Sequence, residues 1–217
     1  MNVCLRMNDD CISRVNSTGF LGVTFDEHLS WYPHCTKVVK RLNSVCYQMR
    51  VLKTKISEHI LMSFYYAQVE SRLSYGICYW GTSPMMKEVF SAQKRILRTM
   101  FSLDNYCSCR QYFVYFRLRT VYGLYIYKLL EHIHLNKVSL TANCDIHTYN
   151  TRNKNSFVIP PHRLSCFNKT LMVQGIKLYN RLPEIVKQIK SMDSFKKQIR
   201  NMTVDKCPYN LNEYLTN

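Results

Sequence analysis

The sequence predicts a mostly α-helical chain that opens with a small antiparallel β meander and continues as a helical bundle. Three observations carry that prediction. Short β-prone runs separated by Asn, Asp and Gly fill the first 26 residues, and from His34 the apolar residues recur three and four apart. A hydrophobic content of 47% over 217 residues is enough to fill one domain, or two small lobes sharing a core.

The meander runs from Val3 to Leu5, turns at Asn8-Asp9, continues from Cys11 to Val15 and turns again through Asn16 to Gly19. It ends with Phe20 to Phe25, the segment richest in aromatic and β-branched residues. Strands this short cannot stand alone and must lean on other parts of the chain. In the first helix, Cys35, Val38, Leu42, Val45, Met49 and Leu52 define one apolar face, with Lys37, Lys40, Arg41 and Arg50 mostly off it. A second helix starts near Ser57, turns Ile60, Leu61, Phe64 and Tyr65 inward and continues toward Leu73. The stretch SRLSYGICYWGTSP (71–84) closes it as a packed connection.

Ser83-Pro84 predicts the start of a third helix, with Ser as cap and Pro where a missing N–H costs nothing. Met86, Val89, Phe90, Gln93, Ile96, Leu97 and Met100 form its inner side, and Lys94, Arg95 and Arg98 a basic patch. A fourth helix is expected over 110–134. Residues 136–166 lose the period, are rich in Asn, Thr and Ser, and carry Pro160-Pro161, which makes them the clearest boundary in the chain. A fifth helix is expected over 167–183, closed by Pro183, and a last one over 192–202, opened by Ser191 and facing inward with Phe195 and Ile199.

Thirty Lys plus Arg against fourteen Asp plus Glu give a formal charge of +16, which favours a polyanionic partner, nucleic acid being the commonest. The excess recurs along the chain. The patches on the first and third helices, with Arg181, Lys187, Lys190, Lys196, Lys197 and Arg200, form a phosphate track if they share a side, and separate solvated faces if they do not. The loop HTYNTRNKN (147–155) sets Tyr149, Arg152 and Lys154 among Asn and Thr. That composition suits stacking on a base and bonding to phosphate, and equally a loop tied to the helices by its own side chains.

No complete active site is expected. Adjacent aspartates such as Asp9-Asp10 can hold divalent ions, but only eight residues precede them, too few for an upstream strand to supply a further carboxylate, so a polar turn is expected. Asp26-Glu27 reads as a solvated turn. No Gly-rich phosphate loop, His-Glu-x-x-His pair or nucleophile elbow is present, and the seven histidines are scattered. Ten cysteines are too sparse for a disulfide scaffold; Cys35, Cys46 and Cys78 sit among apolar neighbours, and a reducing compartment is expected. Cys107-Ser-Cys109, with Cys144 and His147 distant, lacks zinc spacing. No segment resembles a signal peptide, and none reaches eighteen uninterrupted apolar residues. The richest, 112–130, is broken by Arg117, Arg119 and Lys128 and is expected to be a buried helix, with an interfacial helix as the alternative; no membrane partner is expected.

Five short patterns in order carry a resemblance. They are Phe20-Leu21-Gly22-Val23-x-Phe25-Asp26-x-x-Leu29-x-Trp31-x-x-His34, Leu73-x-Tyr75-Gly76-x-x-x-Trp80, Gln93-Lys94-Arg95-x-Leu97-Arg98, His147-x-Tyr149-x-Thr151-Arg152-Asn153, and Gly175-x-x-x-Tyr179-Asn180-x-Leu182-Pro183, with Phe195-Lys196 near the end. Together they resemble the C-terminal part of the reverse transcriptase of non-LTR retrotransposons of the Jockey-like kind.

The resemblance implies terminal palm strands with a primer-guiding hairpin over 1–33, a helical thumb-like domain over 34–134, an irregular connection over 135–166, and post-thumb helices and tail over 167–217. It implies a structural role for Leu21, Gly22, Trp31, Tyr75, Gly76, Trp80, Gly175, Leu182 and Pro183. It also implies backbone binding of an RNA/DNA hybrid or duplex by Lys37, Lys40, Arg41, Lys94, Arg95, Arg98, Tyr149, Arg152 and Lys154. The catalytic aspartates and the Mg2+ they hold belong to an upstream palm of the intact polymerase, so neither a catalytic residue nor a metal ligand is expected in this chain, which alone should not polymerise. The missing palm and fingers are the implied protein partners, and the nucleus the implied compartment. The alternative is a non-enzymatic, protein-binding remnant of a mobile element.

Overall fold

The computed structural model describes residues 5–7, 10–146, 149 and 152–216. Within them the chain is mostly helical with antiparallel β structure near its start. The β part differs in detail from the expected meander: it is two separate hairpins. Strand β1 (Leu5–Met7) pairs with β2 (Asp10–Ile12), Arg6 opposite Cys11, and β3 (Ser17–Phe20) pairs with β4 (Val23–Asp26), Gly19 opposite Thr24. The segment Phe20–Phe25, expected as one strand, folds back on itself because Leu21 and Gly22 both take positive φ, 45° and 79°. Two such residues make the tight turn whose twist matches paired strands.

Helix α1 (Tyr32–Leu52) starts with Pro33 in its first turn and buries Cys35, Val38, Leu42, Val45 and Met49 of the face its period predicts, with Cys46 added and Leu52 only partly buried. Each such side chain contributes about 1.5–3 kcal/mol on burial, which outweighs the weak intrinsic preference of the β-branched members for helix. The second helix is α2 (Glu58–Tyr65), a π-turn (Tyr66–Glu70) and α3 (Ser71–Ser74), running on beyond Leu73. A one-turn helix α4 (Ile77–Trp80) comes after Gly76, whose φ of 60° fits it to its place: a Cβ there would press on Val23 Cγ2 at 3.3 Å.

Helix α5 (Met86–Met100) begins three residues after the expected cap. Ser83 still serves the turn, accepting from the Met85 N–H at 3.3 Å, but its hydroxyl also donates to the Ser30 carbonyl at 3.1 Å, which pins the turn to the foot of α1. The fourth helix is two, α6 (Arg110–Tyr115) and α7 (Val121–Leu135). The break is a C-terminal motif in which Arg117 takes φ 54°, its N–H bonds to Val114 O and that of Leu118 to Phe113 O. Arg117 is held there by Asp205 and Asn201, at 2.8 and 2.6 Å. Thr120 then caps α7, accepting from Gly123 N at 3.0 Å and donating to Pro208 O at 2.7 Å.

Helix α7 is buried on nearly every side and is the axis of the bundle, packed by α3, α4, α5 and the C-terminal helices. The irregular segment contains α8 (Asn143–Ile146) and folds back on itself through an antiparallel bridge between Ala142 and Phe157. It is anchored to α9 (Leu171–Asn180), whose Asn180 side chain both donates to and accepts from the Phe157 backbone, at 2.8 and 2.9 Å. The fifth helix is therefore shorter than expected. Gly175 lets it lie against α7: a Cβ would stand 2.6 Å from Ile133 Cγ1. Pro183 stands two residues beyond the α9 C-cap Arg181 and leads into α10 (Glu184–Lys187), with Leu182 buried beside it. Helix α11 (Met192–Lys206), capped by Ser191, and α12 (Leu211–Thr216) close the chain. One apolar core runs from Val23 to Tyr214 and draws on β4 and on most of the helices.

Two buried histidines give the fold a pH dependence. Burial holds His34 below the ordinary value of 6.5, with Lys37 and Arg41 adding to it. Burial and Lys137 do the same to His134, against a bond to the Ile189 backbone. Both are depressed, so the unfolded chain binds more protons below the ordinary value; this stability is complete above 6.5 and drains away as the pH falls from there toward the folded values. The thermal midpoint should drop between about pH 7.5 and 5.5, and less so in a His34→Gln/His134→Gln variant. Equal slopes in the two proteins would show the histidines to be idle.

Candidate nucleic-acid interface

Helices α1 and α5 lie side by side and run in the same direction. Their contacts advance together, from Ser30 with Ser83, through Asn43 with Arg95 and Cys46 with Thr99, to Lys53 with Ser102. Their C-terminal halves enclose a groove of about 590 Å³ lined by Arg50, Lys53, Lys94, Arg95 and Arg98, with the hydroxyls of Ser91, Thr99 and Ser102 between them. The positions of four of the five cations are fixed by local contacts. Arg95 donates to Asn43 Oδ1 at 2.8 Å, Lys53 to Ser102 Oγ at 2.9 Å and Arg98 to the Cys107 carbonyl at 3.2 Å. Lys94 Nζ sits 4.7 Å from the Phe90 ring centre, a cation over an aromatic face.

Among the described residues no carboxylate neutralises these five, and every ion pair lies elsewhere: Arg14 with Glu27, Arg110 with Glu213, Arg117 with Asp205, Arg119 with Glu70, Lys128 and Lys196 with Glu131, Lys187 with Glu184, and His28 beside Glu27. Arg50 and Arg98 lie in the last turns of their helices and Lys53 is the C-cap of α1, positions where the helix dipole favours a positive charge. Five cations with hydroxyl donors and no acid form a site for phosphate oxygens, held by charge and hydrogen bonds without reading a base.

The predicted site residues divide. Lys94, Arg95 and Arg98 come together as expected. Lys37, Lys40 and Arg41 do not line this groove; residues 41 and 50 are nine apart, which places them on opposite sides of α1, roughly 180° around its axis. Lys37 is tied to Thr24 Oγ1 at 2.9 Å. Their place in the groove is taken by Arg50, which the sequence groups with them off the apolar face, and by Lys53, which the sequence reading missed because its place depends on α1 and α5 being parallel. Tyr149, Arg152 and Lys154 are exposed but lie on the segment packed against α9, outside the groove. Of the C-terminal cations, Lys187 and Lys196 are paired with Glu184 and Glu131, at 2.8 and 2.9 Å, and none of the six lines this groove.

The expected structural residues of the first two patterns meet one another. Asp26 accepts from the Ser30 and Trp31 N–H groups at 2.9 and 2.8 Å, fixing Trp31 at φ 64° ahead of α1. The His34 ring accepts from Thr24 N at 3.3 Å and lies beside Trp80, whose Nε1 donates to Tyr75 O at 2.9 Å. The Tyr75 hydroxyl donates to Leu21 O across the turn. Of the fourth pattern, His147 and Thr151 lie outside the described residues; Asn153 O accepts from Asn143 Nδ2 at 2.8 Å.

Asp9 also lies outside them. Among the described residues no three His, Cys, Asp or Glu side chains converge as a metal site, and no helix is long and apolar enough to cross a membrane. The cysteines at 35, 46, 78, 107, 109, 144, 166 and 207 are free thiols. Comparison with known proteins found no matching family model, no matching curated protein and no matching solved structure.

Proposed function

We propose that this chain is a thumb-like C-terminal part of a reverse transcriptase of the non-LTR retrotransposon kind, holding duplex nucleic acid by its phosphate backbone and carrying no catalytic aspartate of its own. The observation that carries the binding part is the groove between α1 and α5, where five cations and three hydroxyl side chains stand together without a carboxylate partner among the described residues. The resemblance of five ordered patterns supplies the identity of the polymerase and of its hybrid ligand. The contact of the first pattern with the second through Tyr75, His34 and Trp80 supports reading those patterns as one structural unit.

Binding of this kind is sequence-independent and weakens steeply with salt. Retention of a labelled RNA/DNA hybrid at about 50 mM salt should fall at least about tenfold in Lys94→Glu/Arg95→Glu, as opposite charge replaces two phosphate contacts. Retention unchanged by that variant would remove the groove from the account and favour a protein-binding remnant.

A further inference from the structure

A second cleft lies on the other flank of α1. It has a volume of about 510 Å³, within the usual range of small-ligand sites, and is bounded by the Leu21-Gly22 turn, α1 and α3. Arg41 of α1 and Arg72 of α3 both line it, and neither has a carboxylate partner among the described residues. His34 lines it too. Its Nδ1 accepts from the Thr24 N–H at 3.3 Å, so the neutral ring keeps its proton on Nε2 and is a donor there. Leu21, Val38 and Tyr75 supply apolar and aromatic wall, and Gly22 and Ser71 complete the lining. Leu21 and Tyr75 are kept more than half exposed by a turn that is itself locked by the Tyr75 hydroxyl on Leu21 O.

We infer that this cleft is a binding site for a phosphomonoester with a flat apolar body, of the mononucleotide class. The phosphate is gripped by the Arg41 and Arg72 guanidiniums and the ring lies on Tyr75, Val38 and Leu21. Two forked donors suit a tetrahedral anion with several free oxygens, and a purely inorganic anion would leave the apolar walls wet. The site is independent of the groove between α1 and α5, because Arg41 faces away from Arg50, and it stands whether or not that groove binds a duplex.

The test is calorimetric titration of the full chain with AMP, inorganic phosphate and adenosine. AMP should bind at least about tenfold more tightly than either fragment, and Arg41→Ala and Arg72→Ala should each weaken it about tenfold, the worth of one charged hydrogen-bonding partner. Lys94→Glu/Arg95→Glu should leave AMP binding unchanged. Both arginines are at the surface, and thermal melts of the two alanine variants verify that they fold; a given AMP concentration should raise the midpoint of the unaltered chain more than that of either variant. Absence of AMP binding, phosphate binding as tight as AMP, or AMP binding lost in Lys94→Glu/Arg95→Glu and kept in the arginine variants would each overturn the inference.

Discussion

Arg119→Met should destabilise the protein by about 3–5 kcal/mol, and adding Glu70→Leu should recover most of that loss. The Arg119 and Glu70 side chains are only 10% and 11% exposed, and the guanidinium donates through Nη2 to Glu70 Oε1. The pair is imperfectly satisfied: Arg119 Nε and Glu70 Oε2 have no hydrogen-bond partner among the described residues. Such a pair gains little over an apolar replacement of similar size, because each ion has lost its water. Removing one member is different, since it leaves a carboxylate facing apolar side chains. Arg119 also lies 4.5 Å over the Tyr127 ring, a contact that methionine partly replaces in the double variant. Urea unfolding of the two single variants and the double variant gives the coupling directly. An Arg119→Met protein within about 0.5 kcal/mol of the parent would show that the pair is not buried as described.

The position of that pair explains what the sequence could and could not disclose. Helices α1 and α5 were legible because their apolar residues keep the 3.6-residue period over several turns. The break between α6 and α7 was not. The residue with positive φ that ends α6 is Arg117, where a glycine would have signalled the stop, and its conformation is stabilised by Asp205 and Asn201, some eighty-five residues away in sequence. The β3–β4 turn was half-visible: Gly22 is a turn residue, but its partner is Leu21, which carries no such signal. For the groove, Lys94, Arg95 and Arg98 were readable as a patch on one helix. Their α1 partners were not, because choosing Arg50 and Lys53 over Lys37, Lys40 and Arg41 needs the relative direction of two helices that share no local sequence. Charge pattern on a single helix reports which residues leave the core, and packing decides which of them meet.

One residue on the inner side of α5 did break the apolar pattern, and it carries the second large expectation. Gln93 is fully buried and joins three elements: its Nε2 donates to Tyr65 Oη at 3.0 Å and to Arg119 O at 2.9 Å, and its Oε1 accepts from Val121 N at 2.8 Å. The Val121 N–H is one of the unpaired donors at the start of α7, and the Arg119 carbonyl lies in the break that precedes it. Gln93→Leu keeps the volume and removes all three bonds; with each orphaned group costing about 1–3 kcal/mol, the total should be at least about 3 kcal/mol. Urea unfolding measures the sum, and hydrogen exchange at the Val121 amide locates it, with protection lost there first. The cations of the groove sit on the opposite edge of the same helix. At temperatures where the variant is still folded, hybrid retention should be nearly unchanged, because Gln93 supports α5 from beneath without touching the groove. A Gln93→Leu protein that melts like the parent would show that α5 is positioned by contacts other than these.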